Sequence, residues 1–125
     1  MTQPVRHYRD LIAWQRGVDL AEQAYRLTSR FPRDELYGLT SQIRRAATSI
    51  PANIAEGYGR QTPSAYANHL RIAQGSLKEL ETHLIVAERV GIIPPDGAAA
   101  LLALCDEEGR ILLALARSLD SYRVG

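Results

Sequence analysis

Apolar side chains recur every three or four residues through four segments of the chain, which is the spacing of one face of an α-helix. The pattern predicts helices over residues 10–29, 34–57, 62–90 and 95–122. No segment shows the alternation of a β-strand, and the connections are short, so consecutive helices are expected to pack antiparallel. The sequence therefore predicts an all-α protein, a single domain over residues 1–125 that folds as an antiparallel up-down-up-down four-helix bundle.

Several residues mark the expected ends of these helices. Asp10 is predicted as the N-cap of helix 1, and Thr62 followed by Pro63 is predicted to begin helix 3. Gly57 is predicted to end helix 2 as a C′ glycine, and Gly91 is predicted to stop helix 3. These residues place the turns between the four helices.

The predicted core consists of one apolar seam on each helix. Its members are Leu11, Trp14, Val18, Ala21, Tyr25 and Thr28 in helix 1; Leu39, Ile43, Ala46, Ala47, Ile50 and Ile54 in helix 2; Tyr66, Leu70, Ala73, Leu77, Leu80, Leu84 and Ala87 in helix 3; and Leu102, Cys105, Gly109, Leu112, Ala116 and Leu119 in helix 4. Glu108 is expected at the boundary of the helix 4 stripe, because burial of a carboxylate without a partner is costly.

The far face of helix 2 carries mostly small residues, where a solvated face would carry long charged ones. Small side chains allow close approach of another backbone, so this face is predicted to contact a second subunit, an alanine-rich exposed helix being the alternative. The predicted interface residues are Ser41, Arg44, Arg45, Thr48, Ala52 and Ala55. The two arginines are suited to hold a carboxylate across such an interface. Within the same helix Pro51 has no N–H to donate, so a bend or a break is expected there.

Composition narrows the class of protein without indicating an activity. A net charge of +1 excludes a wholesale polycation, and a hydrophobic fraction of 46% argues against disorder. The N-terminal segment has no apolar stretch of a signal peptide, and the longest apolar run, residues 98–105, is too short for a membrane span. Cys105 is the only cysteine, so no internal disulfide forms. We therefore expect a cytoplasmic protein that does not contact a membrane.

No residue pattern indicates catalysis or a cofactor. The Glu-x-x-His pairs of di-iron bundles are absent, and His69 and His83 lie 14 residues apart in helix 3. That separation is about 21 Å along a helix, too long for one metal ion. Glycine-rich phosphate loops and nucleophile motifs are also absent. We expect no enzyme activity, no metal and no cofactor.

Two stretches of the sequence resemble a known family. One is Tyr-Arg-Asp-Leu-Ile-Ala-Trp-Gln at residues 8–15, and the other, at residues 37–60, contains Leu-Thr-Ser-Gln-Ile-Arg-Arg-Ala-Ala and Ser-Ile-Pro-Ala-Asn-Ile-Ala-Glu-Gly. They resemble the bacterial 23S rRNA-intervening-sequence protein family, whose members are also called four helix bundle proteins, and the resemblance extends over about residues 8–122. It implies a cytosolic, non-enzymatic bundle that assembles into a ring-shaped homopentamer. The family is distantly similar to accessory proteins of diversity-generating retroelements, pentameric bundles that bind nucleic acid and a reverse transcriptase, so binding of RNA or DNA is expected by analogy.

Antiparallel topology gathers basic and aromatic residues at one end of the predicted bundle, where helix 1 begins, helices 2 and 3 connect, and helix 4 ends. The candidate nucleic-acid-binding residues at this end are Arg6, Arg9, Tyr58, Arg60 and Arg123. Arginine contacts phosphates and tyrosine stacks on bases, and residues 1–60 carry a net charge of +3 against −2 for residues 61–125. Two alternatives stay open. In the first, the tyrosines close the core beside solvated or paired arginines. In the second, the protein is an oligomeric protein-protein adaptor without nucleic-acid binding.

Overall fold

The computed structural model describes residues 4–124, with side chains described for residues 4–120. It contains four α-helices: α1 (Ile12–Thr28), α2 (Leu39–Tyr58), α3 (Pro63–Arg89) and α4 (Ala99–Val124). Two short 3₁₀ helices, Tyr8–Asp10 and Arg33–Glu35, precede α1 and α2, and no strand occurs in this part of the chain. Each helix contacts the next one in sequence, and α1 also contacts α4. The chain is therefore an all-α four-helix bundle, as the hydrophobic pattern predicts.

The segment before α1 differs from the prediction. α1 begins at Ile12, and Asp10 is not its N-cap but the last residue of the 3₁₀ helix. The Asp10 carboxylate accepts the backbone N–H groups of Arg6 at 3.0 Å and His7 at 3.1 Å. Asp10 therefore fixes the chain that leads into α1, because its side chain satisfies backbone donors upstream of it.

The start of α2 also lies later than predicted. The chain after α1 forms the 3₁₀ helix Arg33–Glu35, and α2 begins only at Leu39. The Glu35 carboxylate accepts the backbone N–H of Leu39 at 3.2 Å, which satisfies one of the free donors at the helix start. From there α2 continues without a break through Pro51 to Tyr58.

Gly57 lies inside α2, so the prediction that it ends the helix as a C′ glycine is wrong. A Cβ at this position would lie 2.7 Å from the Cβ of His69 and 3.3 Å from the carbonyl oxygen of Tyr66, both on α3. The position requires glycine because α2 and α3 approach each other too closely there for any side chain.

The ends of α3 agree with the sequence signals. The Thr62 hydroxyl accepts the backbone N–H of Ala65 at 3.2 Å, and Pro63 is the first helical residue. After the helix, Gly91 adopts a φ of 84°, a left-handed conformation that favours glycine. α4 begins at Ala99 rather than near residue 95, because the chain first turns through residues 94–98.

The predicted core seams of α2 and α3 are confirmed, with Leu39 and Tyr66 at their half-buried margins. The predicted seam of α1 is partly wrong. Its buried residues are Ala13, Gly17, Leu20, Ala24 and Thr28. Val18 and Tyr25, predicted in the core, are 37% and 46% exposed. The buried face is rotated by about one position, or 100°, because small residues let α1 pack closely on its neighbours.

The seam of α4 is confirmed at Cys105, Leu112 and Leu119, whereas Leu102, Gly109 and Ala116 are half-buried. The prediction that Glu108 lies at the boundary of the stripe is wrong, because its side chain is 0% exposed. Gly17 on α1 makes the space for it. A Cβ at Gly17 would lie 3.0 Å from Oε2 of Glu108.

Candidate nucleic-acid and subunit interfaces

Four of the five predicted nucleic-acid-binding residues can be placed at one end of the bundle. We call Arg6, Arg9, Tyr58 and Arg60 the basic end. The 3₁₀ helix that carries Arg9 contacts α2, whose last residue is Tyr58, and Arg60 follows in the connection to α3. The side chain of Arg123 lies outside the described residues.

The tyrosines at the basic end pack into the protein. Tyr8 and Tyr58 are half-buried against the core. Tyr8 contacts Trp14 edge to face with ring centroids 5.3 Å apart, and Tyr58 contacts Tyr66 in the same way at 6.2 Å. Burial raises the pKa of Tyr66 to about 12. These rings close the end of the core, which leaves little ring surface for stacking on a base.

The arginines at the basic end differ in their partners. Arg60 donates to the Glu56 carboxylate at 3.2 Å, one helical turn away. Arg6 and Arg9 are exposed, and neither guanidinium forms an ion pair within the described residues. The guanidinium of Arg9 lies 5.6 Å from the centre of the Tyr8 ring. The basic end therefore presents two arginine side chains without an ion-pair partner among the described residues, next to tyrosine rings that pack against the core.

A network of hydrogen-bonded polar side chains lies near the basic end, and it was not predicted from the sequence. The Asn53 amide donates to the backbone oxygen of Ser49 at 2.9 Å and to its hydroxyl at 3.0 Å. The Asn53 oxygen is thus left as an acceptor for Nδ1 of His69 at 3.1 Å, and the hydroxyls of Ser49 and Ser76 lie 2.9 Å apart. These contacts fix α2 against α3. The only sequence signal was the i, i+4 spacing of Ser49 and Asn53.

Four of the six predicted interface residues of α2 line a groove of about 350 Å³ that also includes Tyr25 of α1. We call this surface the side groove. It is lined by Tyr25, Leu36, Tyr37, Thr40, Ser41, Arg44, Arg45 and Thr48. Ala52 and Ala55 continue the same side of α2, because residues three, four and seven apart share a helix face. Ala52 is exposed and Ala55 is half-buried.

Arg44 is held in place within the side groove. Its Nε donates to the Thr28 hydroxyl at 2.9 Å, and that hydroxyl donates to the backbone oxygen of Ala24 at 2.8 Å. The guanidinium also lies 4.4 Å from the centre of the Tyr25 ring. Neither Arg44 nor Arg45 forms an ion pair within the described part of the chain. The groove therefore contains a preorganised cation without an anion.

Large apolar side chains stand exposed along the side groove. Tyr37 is 92% exposed, Leu36 49% and Tyr25 46%. Exposed apolar surface next to polar residues is typical of protein interaction sites. Sequence reasoning found the α2 side of this surface but missed the α1 side, because it assigned Tyr25 to the core.

The described residues offer little for metal or redox chemistry. They contain no group of three His, Cys, Asp or Glu side chains that could hold a metal ion. Cys105 is a free, buried thiol, and burial raises its pKa to about 12, which disfavours the reactive thiolate. Within the same residues, no helix combines the length and the hydropathy that crossing a bilayer requires.

A basic end and an apolar side groove on four packed helices define a small helical-bundle protein with two candidate interaction surfaces. The sequence model of the 23S rRNA-intervening sequence protein family matches residues 9–114. The chain belongs to this family, and the resemblance inferred from its two sequence stretches is confirmed.

A solved structure shares the fold. It is the crystal structure of a protein with unknown function from the S23 ribosomal protein family of Bacteroides thetaiotaomicron VPI-5482. The two chains are 22% identical with a TM-score of 0.75, and the similarity covers 84% of this chain and 98% of that one. A comparison with curated proteins gave no match.

Proposed function

We propose that the chain assembles into a ring-shaped homo-oligomer, a homopentamer, that binds RNA or DNA through its basic end. The observation that carries the proposal is the side groove, where exposed Tyr37 and Leu36 adjoin two arginines without acidic partners. A second copy that covers this surface removes apolar area from water, which stabilises the assembly by about 25 cal/mol per Å² of apolar surface buried. A contact between two different faces of identical subunits generates a ring when the rotation closes.

The small residues of α2 suit such a contact. Ala52, Ala55 and Thr48 have small side chains, so a helix of the neighbouring subunit can approach the outer side of α2 closely. Arg44 is already oriented by Thr28 and Tyr25, so it loses little side-chain freedom when a carboxylate of the neighbour binds to it.

Repetition around a ring would strengthen the basic end. Each subunit contributes the exposed guanidinium groups of Arg6 and Arg9, and a ring of such groups produces a summed field that attracts a polyanion. The packed state of Tyr8 and Tyr58 favours contacts with phosphates over stacking on bases. Binding is therefore expected to depend strongly on salt and weakly on nucleotide sequence.

The test of this function is fluorescence anisotropy with a structured RNA and a DNA duplex, titrated from about 50 to 200 mM salt. The wild type should bind at low salt with an affinity that falls as salt rises. The double variant Arg6→Glu, Arg9→Glu should lose at least about tenfold in affinity and show a smaller salt slope. Arg30→Glu, Arg33→Glu, at the opposite end, is the matched control with the same change in charge.

Absence of binding at low salt, or equal binding by both double variants, would refute the nucleic-acid part of the proposal. An oligomeric adaptor would then be the better account, because the exposed apolar residues of the side groove also suit a different protein partner. Purification from native cells distinguishes the two. The adaptor is expected to retain a stoichiometric protein, and the nucleic-acid binder a polynucleotide.

A further inference from the structure

A carboxyl group lies in the centre of the bundle without a visible role in either surface. Glu108 is 0% exposed, and neither of its carboxylate oxygens has a hydrogen-bond partner among the described residues. A buried carboxylate that lacks both a cation and a hydrogen-bond donor is strongly unfavourable. The site is therefore built for the neutral acid.

Two other helices shape the space around this acid. Gly17 of α1 opens it, because a Cβ there would lie 3.0 Å from Oε2 of Glu108 and 3.3 Å from the Cβ of Pro51. Pro51 of α2 has no N–H to donate to the carbonyl of Ala47 one turn earlier.

The surrounding charges do not neutralise a carboxylate here. Arg16 on α1 and Glu107 on α4 interact with Glu108 directly, and Cys105, one turn earlier on α4, interacts in turn with Glu108 and with Lys78 and Glu81 on α3. Arg16 is bound to Glu107 at 3.0 Å, and Lys78 to Glu81 at 3.0 Å. On α2 the neighbour is Pro51, which does not titrate. Burial, reinforced by Glu107 and opposed by Arg16, raises the pKa of Glu108 to about 8.

We propose that Glu108 is a proton-controlled latch of the bundle, which as a neutral acid lets α4 pack closely on α1 at Gly17, and which opens when its proton is lost to solvent. The carboxylate left behind can be hydrated only if α4 separates from α1 at Gly17. The bundle therefore has a conformational response to pH that lies in its core and is independent of either interaction surface.

The direction of the effect follows from proton linkage. A glutamate has an ordinary pKa of 4.5, and Glu108 has about 8 in the folded chain. Between these values the folded state holds one proton more than the unfolded state, so stability falls as pH rises. The unfolding equilibrium constant should increase about tenfold per pH unit up to about pH 8, and this contribution should level off above it.

The experiment is denaturant unfolding from about pH 5.5 to 9, a range that spans the pKa of Glu108, for the wild type, Glu108→Gln and the control Asp106→Asn. Asp106 is exposed on the same helix, and within the described residues its ion pair is with Arg110. The wild type and Asp106→Asn should show the tenfold rise per pH unit, whereas Glu108→Gln should not, because the amide has nearly the same shape and cannot ionise. Parallel curves for all three proteins would overturn the proposal.

Cys105 provides a second readout that needs no variant at Glu108. It is the only cysteine, is fully buried and lies one turn before Glu108. Its labelling rate by a thiol reagent, divided by the rate in the denatured chain at the same pH, measures opening of the core. This ratio should rise through pH 8 in the wild type. A ratio independent of pH, or a carboxyl ¹³C signal of Glu108 that titrates near 4.5, would contradict the latch.

Discussion

The basic end and the side groove contain the same residue types, arginine and tyrosine, in opposite states. At the basic end Tyr8 and Tyr58 are packed against the core and support exposed arginines. In the side groove Tyr37 is almost fully exposed, while Arg44 is held against Thr28 and Tyr25. The aromatic rings are thus structural at one surface and available at the other.

The difference shows that composition alone does not identify an interaction surface. A tyrosine that closes a core contributes to folding stability, whereas an exposed tyrosine beside small residues remains available to a partner. The basic end is accordingly suited to an electrostatic contact with a polyanion, and the side groove to a packed contact with protein.

The largest expected effect comes from filling the side groove. Ala52→Trp should abolish assembly, because a bulky indole among the small side chains of α2 prevents a second subunit from packing there. Light scattering should then give the 13.9 kDa mass of the chain. Ala103→Trp, at an exposed position of α4, is the matched control and should keep the wild-type mass. An unchanged mass for Ala52→Trp would place the interface elsewhere.

The next effect concerns the close contact between α2 and α3 at Gly57, next to the basic end. Gly57→Ala should lower the free energy of unfolding by about 3 kcal/mol, because its Cβ would meet His69 at 2.7 Å. Gly75→Ala, in the middle of α3, should instead raise it by up to about 1 kcal/mol through better helix propensity, because the added Cβ would meet no other part of the structure within 4 Å. Urea unfolding measures both. Equal changes would show that α2 and α3 are not in close contact at Gly57.

The smallest effect separates the two kinds of tyrosine. Tyr58→Ala should cost about 2 kcal/mol of folding stability, since a half-buried ring is lost from the core. Tyr37→Ala should change folding stability by less than about 0.5 kcal/mol and act only on assembly. Unfolding measured in the Ala52→Trp background, which should not assemble, isolates the folding term. A large loss for Tyr37→Ala would mean that its ring packs within the subunit.

The fold could be predicted because α2 and α3 carry uninterrupted seams of Ile, Leu and Ala. The core face of α1 could not, since Val18 and Tyr25 are larger than the Gly17 and Ala24 that the bundle buries in their place. That choice depends on how closely α1 approaches Pro51, a tertiary relation with no local signal. Burial of Glu108 escaped prediction for the same reason, because the space for it comes from Gly17 on a distant segment.

The candidate surfaces were predicted to different depths. Antiparallel topology was enough to place Arg6, Arg9, Tyr58 and Arg60 at one end of the bundle. It did not indicate which rings were packed, since this depends on the edge-to-face contact of Tyr58 with Tyr66. Likewise the small residues of α2 indicated the side groove, but the exposure of Tyr37 could be seen only in the folded chain.

The mass of the wild-type protein in solution tests the central claim most directly. Light scattering coupled to size exclusion, repeated over a range of protein concentrations, should give five times the 13.9 kDa mass of the chain. A closed ring should keep that mass on dilution and form no larger species. A mass of 13.9 kDa at every concentration would contradict the account, because the side groove would then be exposed without a second copy to cover it.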